Sequence, residues 1–339
     1  MWLNQLWFVL YVVIIGGYVI LDGFDLGVGT LYLFVAKDDT ERRLVLNSIG
    51  PVWDGNEVWL VLGGGALFAA FPLVYASLFS GFYLAMMAVL LVLIMRAVAI
   101  EFRSKRPGAR WRRTWDVFFA VASAGIAFLL GVALGNVLRG LPIDAAGNMN
   151  VSFTALLSPY ALALGVAALL MLSVHGGIFL TLKLEDELLA RVERLVPRLM
   201  IAFFVVMTGL IAWTMLLDED FAQNYRDRIW TVVFPVAALA AAVVAWRSIL
   251  VQASMRAFLA SSSMIGLLMA SVAASLFPVM LPSSTDRANS LTIYNSASQQ
   301  NTLTVMLVIA VIGLPFVLLY TAGVYYFFRG RVRLDDTSY

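Results

Sequence analysis

The sequence alternates long apolar segments with short polar connections, and this alternation constrains the fold more than any other feature. A helix needs about 20 apolar residues to cross a bilayer. Such segments lie near residues 7–35, 52–73, 75–99, 117–138, 159–182, 199–217, 229–246, 258–280 and 303–328. The chain is 62% hydrophobic and 13% charged, whereas soluble domains average about 45–50% apolar and about 25% charged residues. We therefore predict an all-α polytopic membrane protein with nine transmembrane helices, forming one integral-membrane domain over residues 1–339.

The distribution of lysine and arginine predicts the orientation of these helices. With nine crossings, the two termini lie on opposite sides of the membrane. If the N-terminus lies outside, 19 of the 23 basic residues fall on the inner side. Lys and Arg concentrate in cytoplasmic connections. We therefore expect a periplasmic N-terminus and a cytoplasmic C-terminus.

Composition excludes several classes of function. The chain has no cysteine, which excludes disulfides, thiolate metal ligands and iron–sulfur clusters bound by this chain. The net charge is only +2 and the basic residues are scattered, so we expect no nucleic-acid partner. The first apolar segment has no Lys or Arg before it and is longer than a signal-peptide core, so we expect it to be a retained span.

Four carboxylates interrupt the first two predicted spans: Asp22 and Asp25 in the first, Asp54 and Glu57 in the second. A charged side chain at the centre of a membrane helix costs roughly 2.5–3.5 kcal/mol by insertion scales, so such residues face a protein interior and mark proton or ion routes. Each pair is three residues apart, which places both members on one helix face. If the two faces meet, the four carboxylates form a ladder from the cytoplasmic surface toward the middle of the membrane.

A structural role for these carboxylates remains open. Each can instead pair with Arg96 near the inner end of the third span, or cap backbone interrupted by glycine and proline at Gly23, Gly27, Pro51 and Gly55. Arg96 is a candidate counter-ion in either case. The pairs Gly23 with Gly27 and Gly131 with Gly135 have the spacing of small residues that lets helices approach closely in membranes.

His175 is the only histidine and lies within the fifth predicted span. Histidine is a common axial haem ligand. A single histidine cannot supply both axial ligands of a bis-histidine haem, however, and methionines serve far more often in packing than in ligation. We expect His175 to be a hydrogen-bonded interior residue.

Two tryptophans, Trp53 and Trp59, flank the second acidic pair. They can line a hydrophobic passage for a gas or an isoprenoid tail, or they can serve ordinary helix and lipid packing. The sequence alone favours packing.

Four sequence blocks resemble subunit II of the cytochrome bd-type quinol oxidases. They are LDGFDLGVG in the first span, NSIGPVWDGNEVWLVLGGGALFAAFP leading through the second, YASLFSGFYLAM in the third, and FPVMLPSSTDRANSLTIYNSASQQNTLTVM before the last. The resemblance extends over essentially the whole chain in order, length and number of helices. The HGG segment at 175–177 is similar to the cyanide-insensitive branch of this family.

The resemblance implies a multi-pass subunit of a bacterial inner-membrane oxidase that takes electrons from ubiquinol or menaquinol and reduces dioxygen to water. It implies that the haems, b and d or b alone, lie in a partner, subunit I. This chain is then expected to bind no haem or metal directly and to be inactive alone. A structural quinone and a small accessory subunit are further components that the resemblance allows.

The resemblance also implies roles for individual residues. Asp25 and Asp54, with Asp22 and Glu57 as neighbours, are expected to line a proton route from the cytoplasm toward the oxygen-reducing haem. Trp59 corresponds to a position near a hydrophobic oxygen entrance.

Two other functions stay open on the residues alone. A proton- or cation-coupled secondary transporter can use the same acidic helices and would function without a partner. A purely structural membrane scaffold would tolerate replacement of Asp25 and Asp54 by amides.

Overall fold

α-Helices make up most of the chain that the computed structural model describes, residues 1–217 and 225–334. They are α1 (Trp2–Val35), α2 (Asp39–Ile49), α3 (Trp53–Ala70), α4 (Pro72–Gly81), α5 (Tyr83–Phe102), α6 (Ala109–Arg139), α7 (Pro159–Lys183), α8 (Asp186–Leu217), α9 (Val233–Leu250), α10 (Ser254–Leu276) and α11 (Gln300–Phe327). Eight of them, α1 and α5 to α11, are long and apolar enough to cross a membrane. The chain is therefore a multi-pass membrane protein, as predicted.

The prediction of a purely α-helical fold needs a small correction. The polar connection before α11 contains two short strands, β1 (Val279–Leu281) and β2 (Leu291–Thr292), which pair antiparallel. Nearby, the backbone N–H of Leu141 donates to the carbonyl of Pro282 at 2.9 Å. These bonds tie two connections together at one end of the helix bundle, which we call the β end.

The second and third predicted spans differ from the helices that the structure contains. The second ends at Ala70 because Pro72 begins a new helix, and proline lacks the N–H that would continue the old one. The third is divided between α4 and α5 at Phe82. Gly81, just before the break, lies against Met149, whose side chain occupies the space that a Cβ would need. Neither hydrophobic periodicity nor hydropathy can reveal a contact between two residues so far apart in the sequence.

α3 is not among the eight helices above, because Asp54, Asn56 and Glu57 in its first turn lower its mean hydropathy. It nevertheless extends from the middle of α1 to the β end. Asn56 bonds to the carbonyl of Leu21 in the middle of α1, and the carbonyl of Ala70 accepts from the backbone of Ser298 at the β end. Its count as a ninth crossing stays a prediction.

The opposite end of the bundle carries α2 and a network of ion pairs, and we call it the α2 end. Asp116, fully buried near the start of α6, accepts hydrogen bonds from Arg103 Nε at 2.6 Å, from the Tyr32 hydroxyl at 2.7 Å and from Arg42 Nη1 at 2.8 Å. Arg103 also reaches Asp39 at 2.8 Å. This network, which sequence reasoning missed, ties α1, α2, α5 and α6 together.

Close helix packing around α7 depends on glycine. A Cβ on Gly27 of α1 would overlap the backbone of Leu172, and one on Gly176 of α7 would overlap the backbone of α1. On the other side of α7, a Cβ on Gly131 would come within 2.8 Å of Gly165 Cα. Backbones approach this closely in membrane proteins because apolar side chains gain little from leaving apolar lipid. The predicted packing role of Gly27 and Gly131 is confirmed.

Candidate functional site

A fully buried ion pair joins α1 to α5 within the bundle. Arg96 Nη2 donates to Asp22 Oδ1 at 2.6 Å, and Arg96 Nη1 donates to Asp22 Oδ2 at 3.0 Å. Both side chains have no exposed surface. The paired geometry commits both carboxylate oxygens to one guanidinium group, which is the strong form of such a bond.

Glu57 of α3 brings a second carboxylate to the same arginine. Its Oε2 lies 3.8 Å from Arg96 Nη1, and its side chain is about one-fifth exposed. Arg96 is therefore shared by two carboxylates on different helices. The longer distance and partial exposure make the contact with Glu57 the weaker of the two.

Asp25 lies one turn further along α1 and has no cation as its direct partner. Its Oδ2 accepts a hydrogen bond from Asn56 Nδ2 at 2.7 Å, while its Oδ1, although buried, has no hydrogen-bond partner among the described residues. Asn56 Oδ1 in turn accepts a bond from the Tyr325 hydroxyl of α11 at 2.9 Å. Asp25 is thus held at one oxygen only, by a chain of side chains that reaches α11.

Asp54 takes a different position from the other three carboxylates. It is exposed on the outside of α3 and makes no hydrogen bond or ion pair with any described residue. The structure therefore brings Asp22, Asp25 and Glu57 together around Arg96 and turns the fourth carboxylate outward. The expected ladder of four facing carboxylates is not continuous within this chain.

Asn56 and Tyr325 were missed as site residues by reasoning from the sequence. Asn56 follows Asp54 by two residues in the polar first turn of α3, so its polarity at that position was an available signal. Tyr325 carried no such signal, because it lies 269 residues from Asn56 in the sequence and within an apolar helix. Long-range pairing of this kind follows from the packing of α11 and not from local pattern.

His175 is buried and has both ring nitrogens occupied. Nε2 lies 3.0 Å from the carbonyl of Ile20, and Nδ1 lies 2.8 Å from the Ser261 hydroxyl. Since a carbonyl can only accept, Nε2 carries a hydrogen and donates it to Ile20. The ring also stacks on Phe258, with centroids 5.1 Å apart. These contacts match the expected hydrogen-bonded interior residue.

The two tryptophans lie in helix packing. The ring of Trp59 lies against α1, where a Cβ on Gly17 would come within 2.8 Å of it. Trp53 is buried at the start of α3 in the apolar core beneath α2. Within the described ranges, no group of three or more His, Asp or Glu side chains is arranged to hold a metal ion.

One carboxylate outside the membrane-spanning helices shows how the α2 end is held. Glu41 of α2 forms an ion pair with Arg191 of α8 and accepts a bond from the backbone N–H of Lys37 at 2.7 Å. Burial alone would raise the pKa of Glu41, but these bonds outweigh it and lower the pKa below its usual 4.5.

Comparison with known proteins gives one family. The family model for cytochrome bd terminal oxidase subunit II matches residues 3–328. The chain is 36% identical to cytochrome bd-I ubiquinol oxidase subunit 2 of Escherichia coli K12, over 98% of this chain and 96% of that protein. It is also 36% identical to cytochrome bd ubiquinol oxidase subunit 2 of Bacillus subtilis, over 97% of each.

A solved structure agrees in fold. A chain of the bd oxidase from Geobacillus thermodenitrificans superposes with a TM-score of 0.76, at 18% identity, over 97% of this chain and 99% of that one. The sequence matches and this structure together confirm the resemblance that the four sequence blocks indicated. The chain belongs to the cytochrome bd terminal oxidase subunit II family.

Proposed function

We propose that this chain is the non-haem subunit of a quinol:oxygen oxidoreductase and that it delivers protons from the cytoplasm toward the site of oxygen reduction. The observation that carries the proposal is Asp25, a fully buried carboxylate with one oxygen held by Asn56 and the other unpartnered within the described residues. Buried carboxylates at membrane depth commonly belong to proton relays. Family membership favours this function over a transporter that acts alone.

The contacts of Asp22 and Asp25 favour different roles for them. Both oxygens of Asp22 are committed to Arg96, so we assign this pair to holding the site together. Asp25 keeps one oxygen free of such bonds and can exchange a proton without first breaking a buried ion pair. We therefore propose Asp25 as the proton-carrying group and Arg96 as the counter-ion that holds Asp22 and Glu57.

We propose that the haem-bearing subunit I docks on the outer face of α3. Asp54 is exposed there, Glu57 is partly exposed, and Gly64 and Gly65 leave open space where side chains would lie. A charged group facing lipid costs roughly 2.5–3.5 kcal/mol, so this face needs a cover other than lipid. Docking there also places Asp54 and Glu57 between Asp25 and the partner, where Asp54 completes the proton route.

Further parts of the proposal concern the assembly and rest on family membership. We propose that the chain forms a single integral-membrane domain in the bacterial inner membrane, with nine crossings, a periplasmic N-terminus and a cytoplasmic C-terminus. The haems, b and d or b alone, belong to subunit I, and the substrates of the complex are quinol and dioxygen.

Three further features belong to the proposal. We propose that Trp59 of α3, which packs against α1, forms part of the wall of an oxygen entrance. A structural quinone and a small accessory subunit are the further components that the proposal includes for the complex.

The test is amide replacement in the assembled complex. Asp25→Asn should lower quinol oxidase turnover by about 100-fold, the low end of what a positioned proton-transfer group contributes, and Asp54→Asn should lower it as well. Asp144→Asn is the matched control, because Asp144 lies in the α6–α7 connection at the β end, outside the membrane-spanning helices. Full turnover of Asp25→Asn, with subunit I and its haem spectrum retained, would remove the proton role.

A further inference from the structure

A polar cavity opens at the α2 end, between the α2–α3 connection, α7 and the chain that follows α11. Its volume is about 550 Å³, and we call it the vestibule. The exposed residues Pro51, Arg329 and Arg333 form its rim, so it opens to the outside of the chain. Deeper in, it is lined by Asn47, Ser48, Val52, Phe179, Lys183 and Tyr325.

The chain after α11 covers the vestibule and is fixed in place by hydrogen bonds with the end of α7. The backbone N–H of Val332 donates to the carbonyl of Lys183 at 2.9 Å, and Lys183 Nζ donates to the carbonyl of Phe328 at 2.6 Å. Arg331 donates to the carbonyl of Thr181 at 2.6 Å. The cover is therefore built from specific contacts between α7 and the segment beyond α11, which makes the vestibule a formed cavity.

Tyr325 belongs both to the vestibule and to the environment of Asp25. Its hydroxyl donates to Asn56 Oδ1 at 2.9 Å, and Asn56 Nδ2 donates to Asp25 Oδ2 at 2.7 Å. Only two side chains thus separate the open cavity from a buried carboxylate. The other oxygen of Asp25 has no partner in the described part of the chain.

We propose that the vestibule is the aqueous entrance of the proton route and that the Tyr325 hydroxyl passes protons from it to Asp25. This inference rests on the proposed function of Asp25 and adds the mouth of its route, which is separate from the outer face of α3. Asn56 is a positioning residue, because its amide has no proton that it readily gives up.

The transfer balances without any further reactant. Tyr325 accepts a proton from water at a lone pair of its oxygen while its own proton leaves toward Asp25, so the tyrosine ends as it began. The Asp25 carboxylate becomes the carboxylic acid and the water becomes hydroxide, which the bulk solvent neutralises. For this step the Asn56 side chain turns away from the tyrosine, and it turns back to hold Asp25 afterwards.

Charges differ between the two sides of Tyr325. On the vestibule side the charged groups are Lys183, Arg329, Arg331 and Arg333, all basic. On the inner side, Asp22 and Glu57 lie with Arg96 around Asp25. The basic lining gives the vestibule a property that can be measured, because it should admit anionic reagents faster than cationic ones.

A thiol placed in the vestibule tests both its accessibility and its role. The chain has no cysteine of its own, so Asn47→Cys introduces one thiol into this subunit of the complex. We expect an anionic methanethiosulfonate to modify it faster than a cationic one, and we expect modification to lower turnover by about 100-fold. Haem reduction by quinol without oxygen should stay unchanged, since electron entry does not use this route.

The matched control is Ser104→Cys, an exposed position at the same end that does not line the vestibule, and its modification should leave turnover unchanged. The parent complex treated with the same reagents accounts for any thiols in subunit I. Because each complex is compared before and after modification, a folding defect cannot imitate the result.

A second variant tests the hydroxyl itself. Tyr325→Phe keeps the ring and should slow proton uptake by about 100-fold, whereas Tyr326→Phe, at an exposed neighbouring position, should not. An unreactive thiol at position 47, full turnover after its modification, or normal proton uptake by Tyr325→Phe would each overturn the proposed entrance. If Asp25→Asn is slow in the same assay, the entrance alone is refuted; if Asp25→Asn is also normal, the proposed function fails as well.

Discussion

The buried pair between Asp22 and Arg96 gives a prediction about stability whose size follows from the contacts. Both side chains are fully buried and joined by two hydrogen bonds of 2.6 and 3.0 Å. Removing one member of a buried pair typically costs about 3–5 kcal/mol, because the other charge is left without compensation. Arginine cannot relieve that cost by losing its proton.

The contact with Glu57 determines how much stability Asp22→Asn should lose within this range. Its carboxylate remains 3.8 Å from Arg96 after the substitution, so we expect a loss near the lower limit, about 3 kcal/mol. Glu57→Gln alone should cost about 1 kcal/mol or less, since the contact is long and partly exposed. The double variant, which leaves Arg96 with neither partner, should exceed the sum of the two single losses.

The assay is the midpoint of unfolding of the purified complex in mixed detergent micelles, compared across the parent, Asp22→Asn, Glu57→Gln and the double variant. Arg329→Gln is the control, because its side chain is exposed. Equal midpoints for Asp22→Asn and Glu57→Gln would contradict this prediction, as would simple additivity in the double variant.

Three further predictions concern packing, the lone histidine and the α2 end. Gly176→Ala should destabilise the complex by about 1–3 kcal/mol through overpacking against α1, measured by its thermal midpoint, whereas Gly209→Ala in α8, with open space around it, should not. His175→Ala should keep the full haem spectrum of the complex, and loss of one haem band from an otherwise intact complex would contradict the packing role. Bonds from Arg191 lower the pKa of Glu41, so their stabilisation is present above the unfolded-state pKa and is lost as the pH falls through the lowered folded-state value. Near neutral pH the parent should therefore be more stable than Glu41→Gln by at most about 1 kcal/mol in free energy of unfolding, seen as a higher thermal midpoint. This difference in midpoint should disappear below pH 4.5, and a difference that does not change with pH would contradict the prediction.

The sequence was informative where the physical cause was local. The cost of charge in lipid singled out Asp22, Asp25, Asp54 and Glu57, and helical spacing placed Asp22 and Asp25 on one face. The close approach at Gly27 followed from its spacing in the same way. These features depend on a single helix and its solvent.

Features that depend on how helices turn against one another were not available from the pattern. Asp54 shares a helix face with Glu57 by spacing, yet it lies exposed because α3 is rotated so that Asn56 points to Asp25. The bond from Tyr325 to Asn56 and the break next to Gly81 likewise depend on contacts between distant segments. A single sequence, read without an alignment, holds no signal for such contacts.

Proton uptake by Asp25→Asn is the most direct test of the account. The fully reduced complex is mixed with oxygen in weakly buffered solution, and a pH-indicator dye follows proton uptake while absorbance follows haem oxidation. We predict that electron transfer to oxygen begins normally, while proton uptake slows by about 100-fold and the later steps slow with it. Uptake at the parent rate, in a complex with its full haem content, would contradict the claim that Asp25 carries the protons.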